Sequence, residues 1–308
     1  MSIAPALVLL AALVTVPPYE LQSNPWVNLH QRLLHQAQFG TPASPERLSA
    51  GEKATWDGVV DTYKTLFKDR SAVFNKELAD IDTAVRGAST TLPDAIPPKA
   101  AEALRTAMPL YEKAQWAEDD AINRFWIAVA EPLLRSAGPE LLAAHGKAYG
   151  IPMPKRIHVD VAPYAGQFGG YTVGDDQQVY TVVTSIDPGY QGFSALEMLM
   201  HEPSHGIVGS NDWAVGSEIT KVSKELGVKP RYNLWHALLF YTSGELTRQA
   251  LARRGVTDYK PVIYRGMFDR QFQGMQQSIE THWGAVLAGA KSREEAIRAI
   301  LQETSPRP

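Results

Sequence analysis

The chain contains no cysteine. Disulfides, thiolate metal sites and thiol nucleophiles are therefore excluded, and any metal falls to histidine, aspartate and glutamate. Net charge is scarce as well: 30 Lys and Arg stand against 33 Asp and Glu, giving −3 with both signs mixed along the 308 residues. That balance offers no basic field to a nucleic acid and no polybasic patch to a membrane surface. Long apolar runs are missing except at the start, where Ile3 to Val14 is almost wholly apolar. This run is shorter than the roughly 20 residues of a membrane span and matches the core of an export signal. No Lys or Arg precedes Arg32, so the basic flank of such a signal is absent. The expectation is an exported protein, periplasmic or secreted, whose residues 1–18 are a signal peptide or an N-terminal hydrophobic segment, with no other stable membrane span.

What remains is a globular composition, 44% apolar and 20% charged, in a chain long enough for a sizeable core. Residues 19–150 read as helical. Ser49 with Glu52 three residues on forms a capping-box pattern ahead of Trp56, Val59, Val60, Tyr63 and Phe67. Beyond the Pro-rich link at 92–98, Leu104, Met108, Tyr111, Trp116, Ile122 and Trp126 recur at helical spacing and are assigned to the core. After Pro152 the period becomes alternating: residues 157–161 and 178–184 read as strands, with glycines and Asp175-Asp176 supplying turns between them. Asp187-Pro188-Gly189-Tyr190 is a further turn, and helices resume to the end, Ser292 and Glu295 forming a second capping box. The expected fold class is mainly α with a small β-sheet (α+β), the region 151–308 packing with the helical region as one unit.

The chemistry concentrates at His201-Glu202-Pro203-Ser204-His205, an H-E-x-x-H string inside an apolar run from Phe193 to Val208. Two histidines four apart share one helix face, so both rings can reach a single Zn²⁺. The intervening Glu202 is placed to take a proton from water and act as general base. Pro203 opposes this reading, because it lacks an N–H and crowds the carbonyl of Leu199. A break there would part the two rings.

A catalytic zinc needs a third protein ligand. Glu245 leads, because a carboxylate in the middle of a long apolar helix needs a partner if buried. Glu225 and Glu218, on a shorter helix between, are the alternatives, followed by a histidine. If Glu245 faces the metal, Tyr241 at i−4 shares its face and can donate to a developing oxyanion. His236, nine residues before Glu245, then points about 180° away unless Gly244 permits a kink, and is the other candidate donor. The plainer reading of both is a core histidine and a packed aromatic. Glu197, one turn before His201, is placed to orient that ring.

With His201, Glu202 and His205 on one helix and a glutamate on a later one, the chain resembles the gluzincin branch of zinc metallopeptidases over roughly residues 152–254. The resemblance implies a zincin-like active-site helix preceded by a β-hairpin, Zn²⁺ as cofactor and a peptide or other amide as substrate. Pro203 and the long gap to Glu245 depart from the pattern of that branch. The competing expectation is a non-catalytic exported helical binding protein whose H-E-x-x-H segment is incidental or holds a structural ion.

Overall fold

The computed structural model describes residues 13–71, 75–87, 92–209 and 214–305. The apolar run read as an export signal therefore lies outside the described residues up to residue 12. Its end, Val14–Val16, forms strand β1, which pairs antiparallel with β2 (Tyr19–Gln22), Val14 opposite Leu21. Among the described residues no helix is long and apolar enough to cross a membrane.

Four helices follow: α1 (Pro25–Phe39), α2 (Ala50–Phe67), α3 (Lys76–Arg86) and α4 (Pro98–Ala114). Their ends are set locally. Asn24 caps α1 by accepting from the N–H groups of Trp26 and Val27, with Pro25 in the first turn, where a missing N–H is harmless. The Ser49–Glu52 capping box at the start of α2 forms in both directions. Then α5 (Trp116–Tyr149) runs for 34 residues. Three strands come next, β3 (Arg156–Ala162), β4 (Gly170–Gly174) and β5 (Gln178–Thr184), and the five strands stand in the order β1-β2-β3-β5-β4. A tight turn joins β4 to β5, closed by the Asp175 N–H donating to the Gln178 carbonyl at 3.0 Å. The molecule is mainly helical with one small sheet, the α+β class expected.

The chain divides into two compact units, and the division falls inside α5, between Ala128 and Val129, and again within β3, β4 and β5. The first unit is organised around buried polar contacts. Asp160 accepts from Arg86 and from Gln22, the latter at 2.8 Å, and Asp82 accepts from Gln31 at 2.8 Å and Tyr171 at 2.6 Å. Burial pushes the Asp82 carboxyl up to about 7.

The second unit holds the H-E-x-x-H segment. Helix α6 (Phe193–Ser204) is buried from Ser194 onward, which explains its apolar sequence. It is followed by α7 (Ala214–Leu226) and by α8 (Leu234–Ala252), against which α6 packs. Asn233 stands at the cap position of α8, but in a left-handed conformation (φ 59°) without a side-chain cap bond. An N-cap side chain normally reaches its N–H from an extended backbone. Here only the Asn233 carbonyl contributes, accepting from the N–H groups of His236 and Ala237. Further on, the chain forms a short helical turn at Met267–Arg270 and a segment whose turn widens at Ile279–Trp283. From that turn the Trp283 indole N–H donates to Thr242 Oγ1 on α8 at 2.8 Å. The last helix, Arg293–Thr304, starts at the Ser292–Glu295 capping box.

Two glycines permit close approach in this unit. A Cβ on Gly206 would stand 2.3 Å from Val179 Cγ1 of β5, and one on Gly244 would stand 2.6 Å from Pro261 Cβ and 3.2 Å from Glu197 Oε1.

Candidate metal centre

Pro203 is the penultimate residue of α6. Its ring falls in the last turn, where the helix tightens: the His205 N–H donates to the Glu202 carbonyl and the Gly206 N–H to the Pro203 carbonyl. These three-residue bonds tighten the end of the helix. The two rings stay together: Nε2 of His201 lies 3.3 Å from Nε2 of His205. Two nitrogens each about 2.0–2.1 Å from one tetrahedral zinc would be about 3.3–3.4 Å apart.

The third member is His236. Ligand atoms of His201, His205 and His236 all lie within 4.8 Å of one another, the one such group among the described residues that can hold a metal ion. His236 stands in the first turn of α8, and the packing of α8 on α6 brings it in. Its Nε2 is buried with no hydrogen-bond partner, as is Nδ1 of His201.

Glu245, expected as the third ligand, is not in the group. Its carboxylate accepts from Arg248 Nη2 at 2.6 Å and Nε at 2.8 Å, and from Gln249 Nε2 at 2.9 Å. Those partners stand three and four residues on, where helical neighbours meet, so this carboxylate needs no metal. The alternatives are likewise engaged: Glu218 by the Arg293 guanidinium, Glu225 by Arg298. The nine-residue offset that set His236 and Glu245 on opposite faces of α8 holds, with His236 the one turned to the motif. Tyr241, expected as an oxyanion donor on the Glu245 face, has its hydroxyl against Gly284, with Tyr264, Glu245 and Glu280 as its neighbours.

Aromatic rings wall the three imidazoles. The Phe240 ring lies over His201 with centroids 3.8 Å apart, Trp235 stacks on His236 at 4.9 Å, and Trp235 also meets His205 edge-on at 5.6 Å. Burial among them disfavours the imidazolium form. His201 is held well below the usual histidine range, by burial first and then by the neighbouring His205, His236 and His145; burial takes His205 down to about 3 and His236 to about 4. At neutral pH all three are neutral imidazoles, the state in which a ring nitrogen binds a metal.

Two carboxyls of α6 complete the surroundings. Glu202, 4% exposed, accepts from the Tyr190 hydroxyl at 2.9 Å on Oε1. Burial pushes its carboxyl up to about 7, with the Tyr190 hydrogen bond working the other way. Glu197 does not reach His201. It accepts from the Tyr259 hydroxyl at 2.5 Å and the Val262 N–H at 3.1 Å, and burial takes it to about 7 as well. It therefore ties α6 to the segment around Tyr259, and His201 lacks the orienting carboxylate its helix position suggested.

Reading the sequence missed His236 as the third member of the group and Tyr190 as the partner of Glu202. A signal existed for the first, since Arg248 and Gln249 at i+3 and i+4 already account for Glu245. None existed for the second beyond the turn in which Tyr190 sits. No family model, no curated protein and no solved structure matches the chain.

Proposed function

We propose that the protein is a zinc-dependent hydrolase of amide bonds, with the peptide bond as its substrate class, in which His201, His205 and His236 hold the metal and Glu202 is the general base. The observation that carries this reading is one arrangement: three neutral imidazoles gathered from two helices, with a buried carboxyl of pKa near 7 on the residue beside the first. Three imidazoles are a donor set of catalytic zinc, which would supply an acidified water and a Lewis acid for the scissile carbonyl. Glu202 is matched to the proton traffic such a reaction needs. A carboxylate beside the metal accepts a proton from the attacking water and returns it to the departing amine. The gluzincin resemblance is retained for the helix that carries the base and two ligands; the third ligand is a histidine in place of the glutamate of that branch.

The test is metal content and peptide cleavage on the purified full chain, reconstituted with zinc and dialysed. About one zinc per chain, lost in His236→Ala and kept in Glu245→Ala, supports the ligand set. Cleavage of a proteome-derived peptide mixture by the wild type, lowered roughly 10²–10⁴-fold in a zinc-loaded Glu202→Gln, supports the reaction. A folded wild type that takes up no metal would overturn the function. Zinc kept in His236→Ala and lost in Glu245→Ala would return the third position to the glutamate.

A further inference from the structure

Glu202 stands in the last turn of α6, and a helical glutamate has several rotamers through which its carboxylate can swing. A general base is effective only when one oxygen is held at the proton it removes. No donor on α6 itself holds the Glu202 side chain among the described residues; the hydroxyl that does so, Tyr190, belongs to the turn ahead of the helix. That turn is itself well anchored. Asp187 Oδ1 accepts from the Gly189 N–H at 2.6 Å, the Tyr190 N–H donates to the Asp187 carbonyl at 3.0 Å, and Pro188 restricts the backbone between them. The Tyr190 ring is 7% exposed, so the phenol is fixed at both ends, by its backbone turn and by its packing.

We propose that Tyr190 is the positioning residue of Glu202: its O–H occupies Oε1 and thereby reserves Oε2 for the proton of the reacting water. The inference rests on the hydrolase reading above and adds a residue outside the H-E-x-x-H string to it. The phenol stays protonated in this role, because burial first, and then the adjacent carboxylate, hold its pKa well above the ordinary tyrosine value. Tyr190 touches neither substrate nor metal and acts only through Glu202.

The test is a double-mutant cycle read by ligand binding, so that no substrate need be known. Wild type, Tyr190→Phe, Glu202→Gln and the double variant are loaded with Co²⁺ and titrated with acetohydroxamate, followed by the visible spectrum of the metal. A hydroxamate binds a metal as its anion and shares its proton with an adjacent acceptor, so its affinity reports whether the carboxylate is aimed at the ion. The expected result is a roughly tenfold loss of affinity in Tyr190→Phe. That loss vanishes in the Glu202→Gln background, where there is no base to aim. A purely structural role for Tyr190 would weaken binding equally in both backgrounds, and that outcome overturns the proposal, as does unchanged affinity in a cobalt-loaded Tyr190→Phe. Asp187→Ala, which loosens the turn and keeps the phenol, is the second variant should Tyr190→Phe not fold. It is expected to lose affinity only where Glu202 is present, and a loss that persists in Glu202→Gln overturns the proposal equally. A wild type that binds no cobalt ends the hydrolase reading and this one together, whereas metal bound with no coupling between the two residues removes Tyr190 alone.

Discussion

Burying Glu197 makes the stability of the metal-free protein depend on pH in a way one substitution should erase. The carboxyl is fully buried on α6 and its pKa is raised from 4.5 to about 7 by desolvation, partly offset by the Tyr259 hydroxyl and the Val262 N–H. A raised carboxyl pKa means that the folded state keeps its proton while the unfolded state has lost it. Below about 4.5 both states are protonated and no penalty exists. As pH rises to 7 the unfolded chain ionises first, so stability falls, and above 7 the penalty is complete at about 3 kcal/mol, at 1.36 kcal/mol for each pH unit the pKa has moved. Glu197→Gln removes the titration and preserves the hydrogen bonds, since its amide oxygen can accept from Val262 and its amide N–H can donate to the Tyr259 oxygen. Urea unfolding of wild type and Glu197→Gln at pH 5, 6, 7 and 8, with metal chelated, isolates the effect. Asp82, Glu202 and the buried histidines titrate in both proteins and cancel in the difference. Relative to the variant, the wild type should lose about 2.5 kcal/mol between pH 5 and 8, since nearly 1 kcal/mol of the penalty is already present at pH 5. A difference that stays flat, or a wild type that gains on the variant as pH rises, would refute the argument.

Three further predictions follow from the same unit. Gly244→Ala places a Cβ against Pro261 and Glu197, an overpacking expected to lower stability by about 1–3 kcal/mol in urea unfolding, while Gly58→Ala, with nothing within 4 Å of the added carbon, should not. Zinc should raise the melting temperature of the wild type in proportion to the logarithm of its free concentration, by the equivalent of about 2.7 kcal/mol at one hundred times Kd, and His236→Ala should lose that response in a calorimetric scan. Glu202→Gln should keep the zinc and lower peptide cleavage by roughly 10²–10⁴-fold, measured by mass spectrometry of the cleaved peptides.

Helix ends and the first two histidines of the group were legible because their causes are local. Ser49 with Glu52, and Ser292 with Glu295, satisfy each other's backbone within four residues, and His201 with His205 share a face by spacing alone. The α+β class followed from the change of period near Pro152. Glu245 misled because a carboxylate in an apolar run looks unpartnered, yet its partners stand one turn on. The pairing of Glu218 with Arg293 and Glu225 with Arg298 spans 75 and 73 residues, a separation at which no pattern in the chain assigns one partner over another.

The sequence by itself determined the caps, the alternation of helix and strand, the absence of thiol chemistry and the pair of histidines that face one way. Only the tertiary structure decided the rest of the site. The docking of α8 on α6 brought His236 to the motif, and the turn at Asp187 brought Tyr190 to Glu202. Spacing along one helix specifies which side chains share a face. What that face meets is set by the packing of distant segments, and so are the burial that keeps three imidazoles neutral and the burial that raises two carboxyls of α6 to the middle of the pH range.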